Sequence, residues 1–272
     1  MRDEVVATVV ALWRYPVKSM MGEQLNASDV TERGLLGDRA YALVDRETAK
    51  VASAKSPRKW PTLFAHRATY VEPPGTDGLP PVRIALPDGR ILRSDDAGID
   101  HLLSTDLGRE VTLDRSAPEA PILEEYWPDT EGLDHRDALT DEAMLPGTFF
   151  DAGMVHLLTT ATLDRLGQLY PEGRFDVRRF RPNVVLSPTD GQAGFVENDW
   201  VGRSLAIGDE VRLRITKPCG RCVMTTLAQD DLPKDSGILR AAAQHNSVKV
   251  GVYATVERGG RLRRGDEVWL PS

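Results

Sequence analysis

Two phrases near the end of the chain constrain its fold most. "IGDEVRL" (Ile207 to Leu213) and "RGDEVWL" (Arg264 to Leu270) each put Gly-Asp in a turn just ahead of an apolar strand. They sit within the longer runs "WVGRSLAIGDEVRLRIT" and "VKVGVYATVERGGRLRRGDEVWL", which read as strand–turn–strand units. Short strands with turns this close together belong to compact β-barrels, and the two phrases are not a domain repeat. The first 115 residues have the same texture. Val5 to Trp13 reads as a buried strand and "RAYALVD" (Arg39 to Asp45) as another. "VRIALPDGRILRSDD" reads as a hairpin about a Pro-Asp-Gly turn, and "GREVTLDRS" as one more short strand. This half predicts a small barrel or sandwich.

Between the halves the pattern breaks. Residues 116–150 are acidic, dotted with proline and weakly periodic, and read as a linker or acidic surface excursion. The expected division is an N-terminal β-barrel over 1–115, this linker, and a C-terminal domain over 151–272 or from near 130. The later half opens with a strand, Met154 to Leu158. "TTATLDRLGQLYP" then has a capping start and apolar spacing at Leu163, Leu166 and Leu169 that suit a helix. "FRPNVVLSP" reads as a strand entered through a proline. The fold class is therefore mainly β, of the α+β kind, with a few helices.

At 272 residues and 41% hydrophobic content the chain can bury a real core. Its net charge of −7 argues against nonspecific nucleic-acid binding, which needs surplus Lys and Arg. The N-terminus lacks the basic start and small-residue cleavage site of a signal peptide, and no run approaches a bilayer span. A cytoplasmic protein with reduced thiols, no membrane partner and no nucleic-acid partner is expected, as a monomer or weak dimer.

Both cysteines fall in "KPCGRCVMTTLAQDD", spaced Cys219-x-x-Cys222. A structural zinc needs a second close pair, and none of the five histidines has a neighbouring partner. A thioredoxin-like pair needs a helix after the first cysteine, whereas "VMTTLA" is β-branched. Two ordinary loop cysteines are a third reading. Arg221 beside Cys222, with Lys217 close by, would favour a thiolate, the form that binds soft transition metals.

"YPVKS", "FRPNVV" and "RCVMTT", in that order and at these distances, resemble the MOSC superfamily, named for the C-terminal domain of molybdenum-cofactor sulfurases. The similarity is to the branch that puts an N-terminal β-barrel before the MOSC domain, including the mitochondrial amidoxime reducing component and its bacterial relatives. It spans nearly the whole chain, from "LWRYPVKSMMGEQLNASDVTERGLLGDRAYALVD" to the closing "VGVYATVERGGRLRRGDEVWL". It implies a molybdenum–molybdopterin cofactor in a cleft between the two parts, with Cys222 as the metal's protein ligand and catalytic residue. It further implies that Lys18, Ser19 and Arg39 contact the pterin phosphate or cofactor, and that the "TTAT" turn (Thr159, Thr160) faces the pterin. Arg181 and Asn183, aimed by Pro182, would read the edges of that pterin, with Arg221 beside them. The implied reaction is oxygen-atom removal from N-hydroxylated or other N–O or S–O compounds. The alternative is a non-catalytic carrier of the cofactor or of persulfide sulfur on Cys222. Cys219 has no assigned role.

The residues alone allow plainer readings of each position: a polar loop for Lys18 and Ser19, an ion pair to Asp38 for Arg39, and helix capping for the threonines. The chain departs from the family pattern at Leu227 to Gly237, where relatives often have Asp-Pro and Thr-Gly. Substrate choice is expected to differ there. The sequence ends directly after the last strand, so electrons are expected from a separate ferredoxin-, flavin- or haem-type protein.

Overall fold

The computed structural model describes residues 4–75, 78–189 and 191–271. In sequence order the N-terminal strands are β1 (Glu4–Arg14), β2 (Glu23–Leu25), β3 (Ala27–Thr31), β4 (Gly34–Leu35), β5 (Ala42–Asp45), β6 (Arg67–Tyr70), β7 (Val82–Ala85) and β8 (Ile91–Arg93). Helix α1 (Ile99–Leu107) leads to β9 (Val111–Asp114), then β10 (Ile122–Trp127) and β11 (Ala138–Ala143). The second half holds β12 (Val155–Thr159), α2 (Thr160–Leu169), α3 (Val177–Phe180), β13 (Val184–Pro188), β14 (Ser204–Ile207) and β15 (Val211–Gly220). Helix α4 (Gly237–Asn246), β16 (Lys249–Arg258), β17 (Gly260–Arg263) and β18 (Glu267–Leu270) complete it.

The fold is mainly β. Seven strands run β13-β12-β16-β15-β14-β18-β1, and β1 pairs back onto β13, so the sheet closes into a barrel. Closure removes the exposed strand edges of an open sheet. The alternation of β15 shows why the sequence takes this form. Val211, Leu213 and Ile215 point into the core, while Arg212, Arg214 and Thr216 point out. Facing residues such as Leu205, Val252, Val184 and Val268 fill the same interior. Burying each such side chain contributes about 1.5–3 kcal/mol. Among the described residues, no helix is long and apolar enough to cross a membrane.

Two elements depart from the expected division. The first strand, Glu4–Arg14, lies in the C-terminal barrel, between β13 and β18, so the two parts interleave. Breaks in its register near Val5 and Val9 bend the strand around the barrel wall. The segment read as a linker, 116–150, holds the antiparallel ribbon β10–β11. Leu123, Met144 and Phe149 from this segment are buried against Ala42 and Val51. Its acids hid this, because long-range partners neutralise them. Lys50 reaches Glu124 and Asp141, and Lys59 reaches Glu124.

The rest of the N-terminal half curls around a second core of Met20, Trp60, Leu63, Ile84, Leu103 and Val111. The β6-β7-β8 meander and the β5–β9 pair enclose it.

Candidate functional site

Strand β15 carries Cys219 and ends at Gly220, and Cys222 then starts a short 3-10 turn, Val223–Thr226. The two threonines lock that turn. The Thr225 hydroxyl donates to the Cys222 carbonyl at 3.0 Å, and the Thr226 hydroxyl to the Val223 carbonyl at 2.7 Å. Cys222 opens into a cavity of about 510 Å³ where the barrel, the N-terminal turns and the β10–β11 ribbon meet.

Arg221 makes its direct contact with Cys219, and acts on Cys222 only as a nearby charge. In extended chain, residues two apart share a face, so Arg221 lies with Cys219. Its Nη1 donates to Cys219 Sγ at 2.7 Å and its Nη2 to the Phe180 carbonyl at 2.8 Å. Cys219 is fully buried. Burial raises its thiol, but Arg221 and then His156 outweigh that and hold it below the usual thiol range. Cys222 moves the other way. Burial, then Glu125, push it up to about 11, with Lys55 and Arg221 opposing. The expected thiolate at Cys222 is therefore a neutral thiol when the cavity holds no metal, and Cys219 is the acidified one.

The cavity gathers Arg39, Arg181, Asn183, Arg221 and Cys222 on its walls. Arg39 pairs with Asp38 and lies 4.8 Å over the Tyr15 ring. Arg181 sits 4.1 Å over the same ring and donates to the Met20 carbonyl at 2.6 Å. Burial, with Arg39 near, lowers its pKa to about 10. Both arginines have positive φ, 46° and 54°, which L-residues seldom adopt. Asn183 ties the walls together. Its Nδ2 donates to Asp38 Oδ2 at 2.9 Å, and its Oδ1 accepts from the His156 amide at 3.1 Å.

Lys18, Ser19, Thr159 and Thr160 do not line this cavity. Lys18 Nζ donates to Asp151 at 2.5 Å and to the Phe149 carbonyl at 3.1 Å. The Ser19 hydroxyl accepts from the Ala54 amide at 3.1 Å. These two hold the segments that deliver Asp151 and Lys55 to the wall. Thr159 is the N-cap of α2: its hydroxyl accepts from the Thr162 amide and donates to Glu197 at 2.6 Å. Thr160 begins that helix, half-buried.

Sequence reasoning missed Lys55, Glu125, Trp127 and Asp151. Lys55 Nζ pairs with Glu125 at 2.7 Å and lies 3.6 Å from Asp151. Burial opposes its charge, but the Asp151 and Glu125 carboxylates outweigh burial and keep it protonated. The basic loop "AKSPRKW" was the only available signal, and it has no period. Near Cys222 the cavity wall thus holds Lys55 and Arg221 together with Glu125, while the ribbon also adds Glu142 and Trp127.

The chain matches two family descriptions. The MOSC domain covers residues 146–269, and the MOSC N-terminal beta barrel domain covers residues 6–90. Mitochondrial amidoxime reducing component 2 of Bos taurus is 28% identical, the match covering 98% of this chain and 84% of that protein. The Homo sapiens protein of the same name is 26% identical over 98% and 84%. The solved YuaD protein of Bacillus subtilis aligns over all of both chains at TM-score 0.48 and 12% identity.

Proposed function

Because the chain belongs to the MOSC-domain proteins that carry a MOSC N-terminal β-barrel domain, we propose that it is a molybdenum-cofactor-dependent oxidoreductase. Its reaction is oxygen-atom removal from N-hydroxylated or other N–O or S–O compounds, with electrons from a separate redox protein. The observation that carries this reading is the placement of Cys222. It opens into a cavity ringed by Arg39, Lys55, Arg181 and Arg221, cations drawn from both halves of the chain.

The residues present fit the cofactor. Among the described residues, no three His, Cys, Asp or Glu side chains group to hold a bare metal ion. A metal bound here has to bring ligands of its own, as a pterin dithiolene does, and take one thiolate from the protein. Arg221 Nε is buried with no partner, a donor free for a bound anion. The ring of cations suits a phosphate-bearing pterin.

When bound, the cofactor supplies two-electron oxygen-atom chemistry. The protein's part follows from its geometry. Cys222 gives up its proton on ligation, and Lys55 and Arg221, both charged and close, favour that loss. Arg39 and Arg181, braced on Tyr15, would hold an anionic group of the pterin. Lys55 Nζ keeps a proton in the wall beside Cys222, anchored by Glu125. Trp127 Nε1 donates to Thr140 Oγ1 at 2.7 Å, which sets one face of the space left for substrate.

Cys222→Ala tests the reading. Expressed in a host that makes the cofactor, this variant should lose molybdenum by more than the roughly 100-fold typical of losing a supporting group. Reduction of benzamidoxime by reduced viologen dye should be lost with it. Wild-type metal content and activity in this variant would sink the proposal.

A further inference from the structure

A second cavity, of about 630 Å³, lies behind the turn that carries Cys222. It shares no lining residue with the first. The partition between them is one chain thick, and consecutive residues face opposite ways. On β10 and just beyond, Glu125 and Trp127 line the first cavity, and Tyr126 and Pro128 the second. On the 3-10 turn, Cys222 and Met224 line the first, and Val223 and Thr226 the second. Phe64 and Leu227, on the second cavity's wall, pack in one apolar cluster with Met224 and Cys222.

Its lining differs in kind from that of the first cavity. Trp60, Phe64, Tyr126, Leu227 and Leu239 give it an aromatic and aliphatic interior. None of its described lining residues is an acid, in a chain with 41 Asp and Glu against 34 Lys and Arg. The cations among its described lining residues are Arg58 and Lys234, both exposed. Arg58 is held 4.7 Å over the Tyr126 ring, which orients the guanidinium and leaves its N–H donors free. Neither cation forms an ion pair with a described residue, and the acids around them have other partners: Asp137 accepts from the Tyr126 hydroxyl at 2.9 Å and Asp129 pairs with Arg136. Lys59 takes Glu124 and Asp45, and Asp235 caps the Gly237 amide at 2.8 Å.

We propose that this second cavity binds an organic carboxylate with an aromatic or long aliphatic body, and that its occupant steadies the turn bearing Cys222. The apolar walls take the body, and Arg58 with Lys234 takes the carboxylate, which a planar guanidinium grips by two parallel hydrogen bonds. The occupant rests on Val223 and Thr226, so it restrains the backbone on which Cys222 sits. This site does not depend on the molybdenum reading.

The probe is 2-naphthoate, with the neutral 2-naphthamide as its match, titrated into the full-length protein and read by calorimetry and by quenching of Trp60. Saturable binding of naphthoate, weaker for the amide, is expected. Arg58→Glu and Lys234→Glu should each weaken naphthoate about tenfold or more and leave the amide nearly unchanged. Alkylation of Cys222 should slow severalfold at saturating naphthoate. Equal binding of acid and amide overturns the ligand class. Naphthoate binding lost in Arg181→Ala but kept in Arg58→Glu assigns it to the first cavity and overturns the site. Binding with unchanged Cys222 alkylation overturns the coupling.

Discussion

The barrel and the cavity wall obey different rules of construction. In the barrel, β15 alternates inward and outward side chains along its first six residues, and the neighbouring strands add runs of buried residues, such as all five of β12, around a closed ring. Its order comes from repetition, and any one side chain contributes what its buried area contributes. At the cavity, Cys222 follows a strand end, Arg39 and Arg181 sit at positive φ, and Lys55 and Glu125 arrive on a loop and on the β10–β11 ribbon. Ser247 and Val248, also at positive φ, line the same wall. Uncommon backbone has collected where charges must be aimed. The difference predicts that substitutions in the two regions will separate stability from ligand binding.

The largest effect on stability belongs to the barrel. Leu213 is fully buried in its core. Leu213→Ala should cost about 3 kcal/mol in urea unfolding, with metal content per folded molecule unchanged. A parallel loss of metal content would show that barrel and cavity are not separable. Asn183→Ala tests the seam between them. It strips partners from the buried Asp38 carboxylate and the His156 amide, so a loss of about 2 kcal/mol is expected, together with weaker cofactor retention. A stability loss with normal retention would make Asn183 a barrel residue only.

Legibility in the sequence follows the same line. β15 repeats every two residues, and β1 and β12 are apolar runs, so these and the strand–turn units of β14 to β18 could be read from the sequence. What could not be read was where β1 pairs, because pairing across 170 residues leaves no local trace. The ribbon β10–β11 was hidden because Leu123 is its single fully buried apolar anchor and its acids are neutralised by lysines some 65 to 91 residues away. At the site, Cys222, Arg39, Arg181 and Asn183 came through family resemblance. The exchange of roles between the cysteines was partly accessible. An extended chain puts Arg221 on the face of Cys219, and adjacency alone pointed to the wrong thiol.

That exchange gives a sharper test than either substitution. With the Cys222 thiol raised to about 11, roughly one molecule in ten thousand carries the thiolate at pH 7 in metal-free protein. Alkylation of Cys222 should therefore rise about tenfold per pH unit from pH 7 towards 10. Cys219 has the lowered pKa but no access to solvent, and should stay unmodified while the protein is folded. Peptide mass mapping after a brief iodoacetamide pulse separates the two. A rate already level at pH 7 would mean that Lys55 and Arg221 outweigh burial and Glu125 at Cys222.

The smallest effect probes the backbone itself. Arg39 holds φ of 46°, a conformation that costs an L-residue about 1–2 kcal/mol and glycine almost nothing. Truncating it to alanine removes the pair with Asp38 and the stacking on Tyr15 but keeps the strained backbone. Asp38 still accepts from the Tyr15 amide at 2.7 Å and from Asn183, so it is not orphaned. Arg39→Gly loses the same contacts and relieves the strain, at the cost of a more flexible unfolded chain. Arg39→Gly should therefore be the more stable of the two by somewhat under about 1 kcal/mol, the reverse of the order found at ordinary positions. Cofactor retention should fall equally in both, since each lacks the guanidinium. If alanine proves the more stable, the positive φ at Arg39 stores no strain, and the cavity wall is built no differently from any other turn.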